Sequence, residues 1–437
     1  MRKRSLLILI LLILSLSLAA CGQNSDGTEE PASSEKPVTL KFYVSGLTFT
    51  DTEFNTMIAE PVKKKFPHIT LEKVVTPEGQ KIDNLVSAGT VPDIIYASAG
   101  SYYNFKRLGI LQSLDEYVDK YKLDLNRIKP NILNSIKAYA EDGEIYTIPF
   151  NSNETILYYN KDIFDKFGVP YPPDEQITWE EALAIGQQLT QTKDGVNYIG
   201  LEVAAGPAYI QSSLALGTLD PTTGKAIVNT PEWEKAFTFL KKTFEVSGYI
   251  QGDTYLYNKD AFLKDQILAM RPTYLANMVG PLEELRKQGE IINWDIAPVP
   301  NFKEALGTSK EVNIHSLFIS KTSEHKDEAF QVLNYILSDE VQRVLSRNGR
   351  VPSIVNPELE KEFGADIEAL KGKKIENIFK AKSVQLHAPH EFEGDVSKFV
   401  TDAAKELALS GIDVNTTLRT LEEKINQEVE RLEKTTK

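Results

Sequence analysis

The sequence predicts an α/β protein built as two lobes, and three observations point to it. Apolar strands and helix-period stretches alternate from Val38 to Ala97 in the strand, helix, strand order of a parallel sheet. A strand from Ile145 to Phe150 containing Pro149 runs into the polar residues Asn151, Ser152, Asn153, Glu154 and Thr155, and an apolar strand, Ile156 to Tyr159, follows at once. Proline cannot donate to a ladder, so this stretch marks an edge or a crossing, and a polar knot between two strands reads as a cleft wall. Beyond it, Thr178 and Glu181 have the spacing of a capping box, which opens a second α/β unit.

The chain of 437 residues opens with Arg2, Lys3 and Arg4, then an apolar run from Leu6 to Leu18 broken only by Ser15 and Ser17, then Leu18-Ala19-Ala20-Cys21. This is the pattern of an export signal over residues 1–20, with an apolar core too short for a comfortable membrane span. Cys21 is the sole cysteine of the chain, and the motif resembles a bacterial lipobox, whose cysteine is diacylated after cleavage. An ordinary secretory leader with a coincidental cysteine is the other reading. Two acyl chains would anchor the chain stably to a membrane. Residues 21–37 then read as a flexible tether: Gly22 to Pro37 has no large apolar residue, and a linker of that size spans about 20 Å. The remaining length, about 400 residues, suffices for two lobes with a core each. Disulfides are excluded if Cys21 is the anchor. Net charge is −13, and −16 without the three basic residues of the leader, which argues against nucleic acid or an anionic membrane surface as partner.

Taken in order, Val38 to Val44 is a buried strand closed by Ser45-Gly46. Asp51 to Phe66 has helical spacing, with Phe54, Met57 and Ile58 on one face and Pro61 expected to kink or divide it. Ile69 to Val74 is a strand, Gln80 to Ala88 a helix, and Asp93 to Ala97 a strand whose following Ser98-Ala99-Gly100-Ser101 falls where open α/β sheets hold ligand loops. Leu108 to Tyr117 and Leu125 to Tyr139 read as helical. After the crossing, Ala182, Ile185 and Leu189 give the capped helix its buried face, and Gly200 to Val203 is a strand. Gly206-Pro207-Ala208-Tyr209 is a loop into a helix from Gln211 to Leu216, and Pro231-Glu232-Trp233 opens a further helix. Ala261 to Met270 reads as helix running into strand, and Arg271 to Tyr274 as loop. Trp294 to Val299, bounded by Pro298 and Pro300, is a second crossing. Ile314 to Ile319 is a strand, Ser323 caps a helix with Ala329, Val332, Leu333 and Ile336 on one face, and Asn415 to Leu432 is an amphipathic helix suited to packing on a lobe.

Catalytic motifs are lacking: no Gly-x-Ser-x-Gly, no phosphate loop, no His-Glu-x-x-His and no calcium loop. A chance pair of carboxylates among 62 acidic residues leaves a glycan-degrading enzyme as a remote alternative. His387-Ala388-Pro389-His390-Glu391 is the one local cluster that suggests metal, but Pro389 prevents a helical pairing of the histidines, so a polar loop is the preferred reading and neither metal nor cofactor is expected.

Several stretches then converge on one family. Val91-Pro92-Asp93-Ile94-Ile95 after Gly89, Leu108 to Leu111 with Leu114-Asp115, Tyr146 to Pro149, Tyr158 to Asp162, Thr178 to Glu181, Ala269-Met270 and the helix ending in Gly349 and Pro352 keep their order over nearly the whole chain beyond the leader. In these the chain resembles the extracellular solute-binding proteins of ABC importers, in the group of maltose- and other oligosaccharide-binding proteins. The resemblance implies a two-lobed periplasmic-binding-protein-like fold of the second type, with residues 38–147 and 300–346 in one lobe, 148–299 and 347–437 in the other, closing by hinge motion on a ligand between them. It implies a monomer, lipid-anchored outside the cytoplasm, that delivers a carbohydrate to ABC permease transmembrane subunits. A non-sugar solute is the alternative, with Arg271 the residue for an anion.

Sugar binding asks for flat aromatic faces and planar polar groups. The loops that the resemblance places at the cleft offer Ser45, Thr48, Ser98, Tyr102, Asn151, Asn153, Glu154, Tyr209, Arg271, Tyr274, Asn277, His390 and Phe392. Asn153 and Glu154 lie nearest the position from which relatives contact sugar. Tyr274 and Asn277 lie near a family loop that supplies a stacking aromatic, although the expected tryptophan is absent. Asn151 and Asn153 have a second reading as partners of backbone groups at the crossing, and Tyr158, Tyr159 and Trp179 read as core.

Overall fold

In the computed structural model, residues 36–436 are described except 76–80, 141, 204–209, 211–212 and 388. The leader, Cys21, most of the tether and Tyr209 with its loop therefore lie outside the described residues. Pro37–Lys437 forms a single compact unit. Among the described residues no helix is long and apolar enough to cross a membrane.

Two sheets organise this unit. The first has β1 (Val38–Val44), β2 (Ile69–Lys73), β3 (Ile94–Ser98) and β4 (Ile148–Ser152). The second starts with β5 (Thr155–Asn160); after the small hairpin of β6 (Thr192–Lys193) and β7 (Val196–Asn197) come β8 (Ile199–Leu201), β9 (Leu268–Tyr274) and β10 (Trp294–Pro298). The chain then forms β11 (Thr308–Glu311), returns to the first sheet as β12 (Ile314–Ile319) and β13 (Val351–Pro352), and ends its strands at β14 (Lys382–Val384). Among the described residues the first sheet has six strands in the order β13-β4-β12-β3-β1-β2, and the second four, β10-β5-β9-β8; β11 pairs with β14. β1 lies parallel to both neighbours, as the alternation predicts, whereas β12 runs antiparallel to β3 and β4.

β4 joins the first sheet, so the chain crosses after Ser152 and not at Thr147. Pro149 is accommodated inside the sheet because the ladder with β12 shifts register between His315 and Ser316, beside the proline. Likewise Ile354 and Leu359 pack in the first core and Phe363 in the second, so the last passage between cores falls after Leu359, later than Ser346.

The helices follow their apolar stripes. Pro61 does not break the first one: Asp51–Phe54 is α-helical, Asn55–Ala59 widens to a π-turn in which Glu60 N–H reaches Asn55 O, and Glu60–Lys65 continues with Pro61 directly after the widened turn. Leu108–Leu114 is not helical: Leu111 bridges to Ser320, and the helix starts only at Asp115. Pro130, not Leu125, starts the following helix, and Leu125–Arg127 is a separate 3₁₀ turn. Arg271–Tyr274, expected as a loop, continues β9, paired with β5. Trp179, Tyr158 and Tyr159 are core residues, and the C-terminal helix Val414–Thr436 buries Leu418, Leu421, Ile425 and Val429.

Candidate functional site

Only Asn153 and Glu154 separate β4 from β5, so the crossing is nearly taut and successive side chains point to opposite faces. Asn153 is buried and ties three elements: its Nδ2 lies 3.3 Å from His315 Nε2, its Oδ1 accepts from Ala276 N at 3.1 Å, and its own N–H donates to Asn313 O at 2.8 Å. His315 Nδ1 lies 2.9 Å from Tyr96 Oη, which in turn donates to Asn151 Oδ1 at 3.4 Å. Burial, and after it the charge of Arg350, pushes the His315 imidazolium down to about 3. The neutral ring accepts from Asn153 at Nε2, which leaves its proton on Nδ1 for Tyr96. Glu154 points the other way, accepting from Ser152 Oγ at 2.9 Å and from Ser383 Oγ, and lines a separate cavity of about 450 Å³ with Lys129 and Ile378.

On the Asn313 side of the crossing a cavity of about 100 Å³ is lined by Ser98 and Tyr139 from the first sheet's layer, Tyr274 from the end of β9, Lys310 to Ile314 and Leu386. Lys310 Nζ sits 4.4 Å from the centre of the Tyr274 ring, a cation-π contact. Burial, and after it the Glu311 carboxylate, pushes both the Tyr139 and the Tyr274 phenol up, so both remain neutral hydroxyls. Two aromatic rings, a serine, an asparagine, a lysine and a carboxylate surround one small space, and with one charge of each sign they suit a neutral hydroxylated solute. Elsewhere the two halves meet again. Tyr103 Oη donates to Pro389 O at 3.0 Å, Arg107 Nη1 to Glu391 O at 3.1 Å, and Arg107 Nη2 pairs with Asp395 at 3.1 Å.

The structure thus brings Ser98 and Tyr274 together, with Asn153 as their support, and places the other expected residues elsewhere. Asn151 is buried in the His315 network, its Nδ2 donating to Ser152 O. Tyr102 is buried in an aromatic nest with Tyr103, Tyr139 and Tyr146. Arg271 pairs with Glu202 at 3.2 Å and donates to Tyr257 O at 2.7 Å, so its charge is already neutralised inside the second core. Phe392 is a core side chain, which leaves no face for a ligand, and His390 stands beside it, ring centres 5.4 Å apart. Ser45 is half-buried and bonds Tyr96 O through its backbone, Thr48 is exposed, and Asn277 donates back to Thr273 Oγ1 near the end of β9.

The histidine cluster separates as well. His387 pairs with Glu311 at 2.6 Å and faces Glu393 at 3.8 Å, whereas His390 packs on Phe392; among the described residues no three His, Cys, Asp or Glu side chains are arranged to hold a metal. Tyr139, Lys310, Glu311 and Asn313 escaped sequence reasoning. Tyr139 looks like the end of an amphipathic helix, and 310–313 carry no motif; only the short stretch between the second crossing and Ile314 marks them.

The family model described as bacterial extracellular solute-binding protein matches residues 51–343. A putative binding protein of Brucella abortus is 26% identical over 315 residues, 66% of this chain and 70% of that one. The arabinooligosaccharide-binding protein of Bacillus subtilis is 23% identical over 310 residues, 66% of this chain and 67% of its own. Among solved structures, an ABC substrate-binding protein from Listeria monocytogenes in complex with cycloalternan superposes with a TM-score of 0.73 at 18% identity, covering 90% of this chain and 99% of that one. At such identity the likeness is one of fold.

Proposed function

The chain belongs to the bacterial extracellular solute-binding proteins, which bind solutes and are not enzymes, and from that premise we propose that its solute is a carbohydrate, an oligosaccharide, passed to the transmembrane subunits of an ABC importer. The observation behind this reading is the convergence of Tyr139 and Tyr274, from opposite sides of the crossing, on one space with Ser98 and Asn313. Aromatic faces stack on the C–H face of a sugar ring while neutral polar groups take its hydroxyls. An arabinooligosaccharide binder and a cycloalternan complex among the similar proteins favour the same class. An anionic solute finds less support, because Arg271 is already neutralised by Glu202.

The cavity of about 100 Å³ is smaller than the roughly 300 Å³ or more of a typical ligand pocket. Entry of an oligosaccharide therefore requires the two sheets with their helices to part about the crossings, and binding shifts the population back to the closed form that the permease recognises. Diacylation of Cys21 holds the receptor at the membrane, with residues 21–37 as the tether.

A thermal-shift screen of a form starting at Gln23, against mono- and oligosaccharides with amino acids and short peptides as controls, tests the solute class. A ligand at a hundred times its Kd adds about 2.7 kcal/mol. Stabilisation by a sugar supports the reading; stabilisation by a control solute and by no sugar removes the carbohydrate assignment. The anchor is tested separately by Cys21→Ser, expected to move the protein from the membrane to the soluble fraction.

A further inference from the structure

The wall of the cavity that holds Tyr139 and Tyr274 carries two charged side chains, Lys310 and Glu311. Behind Glu311 stands His387, which is not part of the wall. Glu311 Oε1 lies 2.6 Å from His387 Nδ1 and accepts from His387 N at 2.8 Å. The other ring nitrogen, Nε2, faces Glu393 at 3.8 Å, and Glu393 itself accepts from Thr218 N at 2.6 Å and Leu219 N at 3.1 Å. The ring has little room to turn, because a Cβ on Gly217 would lie 2.9 Å from its Cδ2. The residue before it, Leu386, lines the cavity and donates from its backbone to Ser135 Oγ at 3.3 Å.

A carboxylate only accepts and a neutral imidazole has a single N–H, so carboxylates at both nitrogens are served together only by the imidazolium. Burial opposes that charge, yet Glu311 and Glu393 push the imidazolium up to about 10. Two cations, Lys310 and His387, therefore balance two anions, Glu311 and Glu393. Of the groups on the neighbouring elements, Arg107 and Asp395 pair with each other, and the phenols of Tyr139 and Tyr274 stay neutral, so neither pair alters the sum. Without His387 one net negative charge would be left beside the cavity, in an interior where charge is weakly screened.

We propose that His387 is a specificity-determining residue for the solute: from behind Glu311, without touching the ligand, its positive charge cancels the carboxylate and keeps the site selective for an uncharged sugar. The proposal rests on the carbohydrate reading above and deepens it, since it names the group that decides which solute charge is accepted.

The test is calorimetric titration of the full chain in detergent at about pH 6.5, where sugar amines are protonated and uronates ionised. Lactose, maltotriose and arabinotriose are the neutral probes, the glucosamine dimer the cationic one and digalacturonate the anionic one. In each protein the tightest neutral sugar is the reference. His387→Gln is expected to improve the glucosamine dimer relative to that reference by about tenfold and to weaken digalacturonate by a similar factor. Adding Glu311→Gln to His387→Gln restores the charge balance and is expected to return both ratios to within about threefold of the wild type. Glu393→Gln, which leaves one net positive charge, serves if His387→Gln does not fold, and its ratios are expected to move the opposite way. A histidine that only braces the fold would shift all three ligand classes alike, and ratios unchanged in the folded variants overturn the proposal while the carbohydrate reading stands. A separate check needs no ligand: ¹⁵N spectra of the histidine rings at about pH 8, where an ordinary histidine is neutral. Both nitrogens of His387 are expected to carry protons there, and a neutral ring overturns the proposal. Binding of none of the neutral sugars to the wild type overturns the carbohydrate reading and, with it, this one.

Discussion

His315 and His387 are held in opposite charge states by their surroundings. Burial would lower His387, but the carboxylates of Glu311 and Glu393 outweigh it and push the imidazolium up to about 10. Its folded value lies above the ordinary value of about 6.5, so the stability it adds is complete below pH ~6.5 and is lost as pH rises toward 10. The unfolding free energy of the wild type over His387→Gln is expected to shrink by about 2–3 kcal/mol between pH 6.5 and 10, read from urea midpoints. His315 has the reverse sign. Held down to about 3, it stays neutral while the unfolded chain takes up a proton below pH ~6.5, so stability falls as pH drops. Between pH 6.5 and 5 the wild type is expected to lose about 2 kcal/mol that His315→Gln retains, since an amide can also accept from Asn153 and donate to Tyr96. Neither state was legible in the sequence. The partners of His387 and His315 come from residues as distant as Glu311 and Tyr96, brought together only by the fold.

Among the elements, the helix Trp179–Leu189 was readable in full because its signals are local. Thr178 Oγ1 accepts from Glu181 N at 3.1 Å and Glu181 Oε2 from Thr178 N at 2.8 Å, as the spacing implies. Thr178→Ala is expected to cost about 1 kcal/mol, seen as a lower melting temperature. What this helix packs against was not readable. A Cβ on Gly200 in β8 would lie 1.9 Å from Gly186 O of the helix, so no side chain fits between helix and strand. Gly200→Ala is expected to destabilise by about 3 kcal/mol or more, or to prevent folding, checked by urea denaturation. Pro61 and Pro149 show the same division: each announces an irregularity, and whether the chain breaks, widens into a π-turn or shifts register depends on its neighbours.

At the scale of the molecule, the closure proposed above rests on contacts between halves far apart in sequence. Arg107 reaches both Glu391 O and Asp395 from the opposite side of the cleft mouth, partly shielded from solvent. Arg107→Ala is expected to favour the open form by about 1 kcal/mol, roughly fivefold in population. A larger radius of gyration in X-ray scattering and faster sugar association would register it. The order of strands and helices, the existence of a crossing near Pro149 and the fold class were all legible, because strand period, proline and cap signals act over a few residues. The exact crossings were not: β4 and β13 are assigned by which strand they pair with.

The sequence by itself therefore determined the α/β alternation, the family to which the chain belongs and the polar character of the crossing, since backbone propensity and short motifs specify these locally. Only the tertiary structure decided which polar residues face a cavity. Arg271 and Phe392 are enclosed in the second core, Asn151 and Asn153 are bound into the crossing, and Ser98, Tyr139, Tyr274 and Asn313 meet. The physical reason is that a buried polar group without a partner is costly, and which partner lies within hydrogen-bond reach is set by how distant strands are brought side by side.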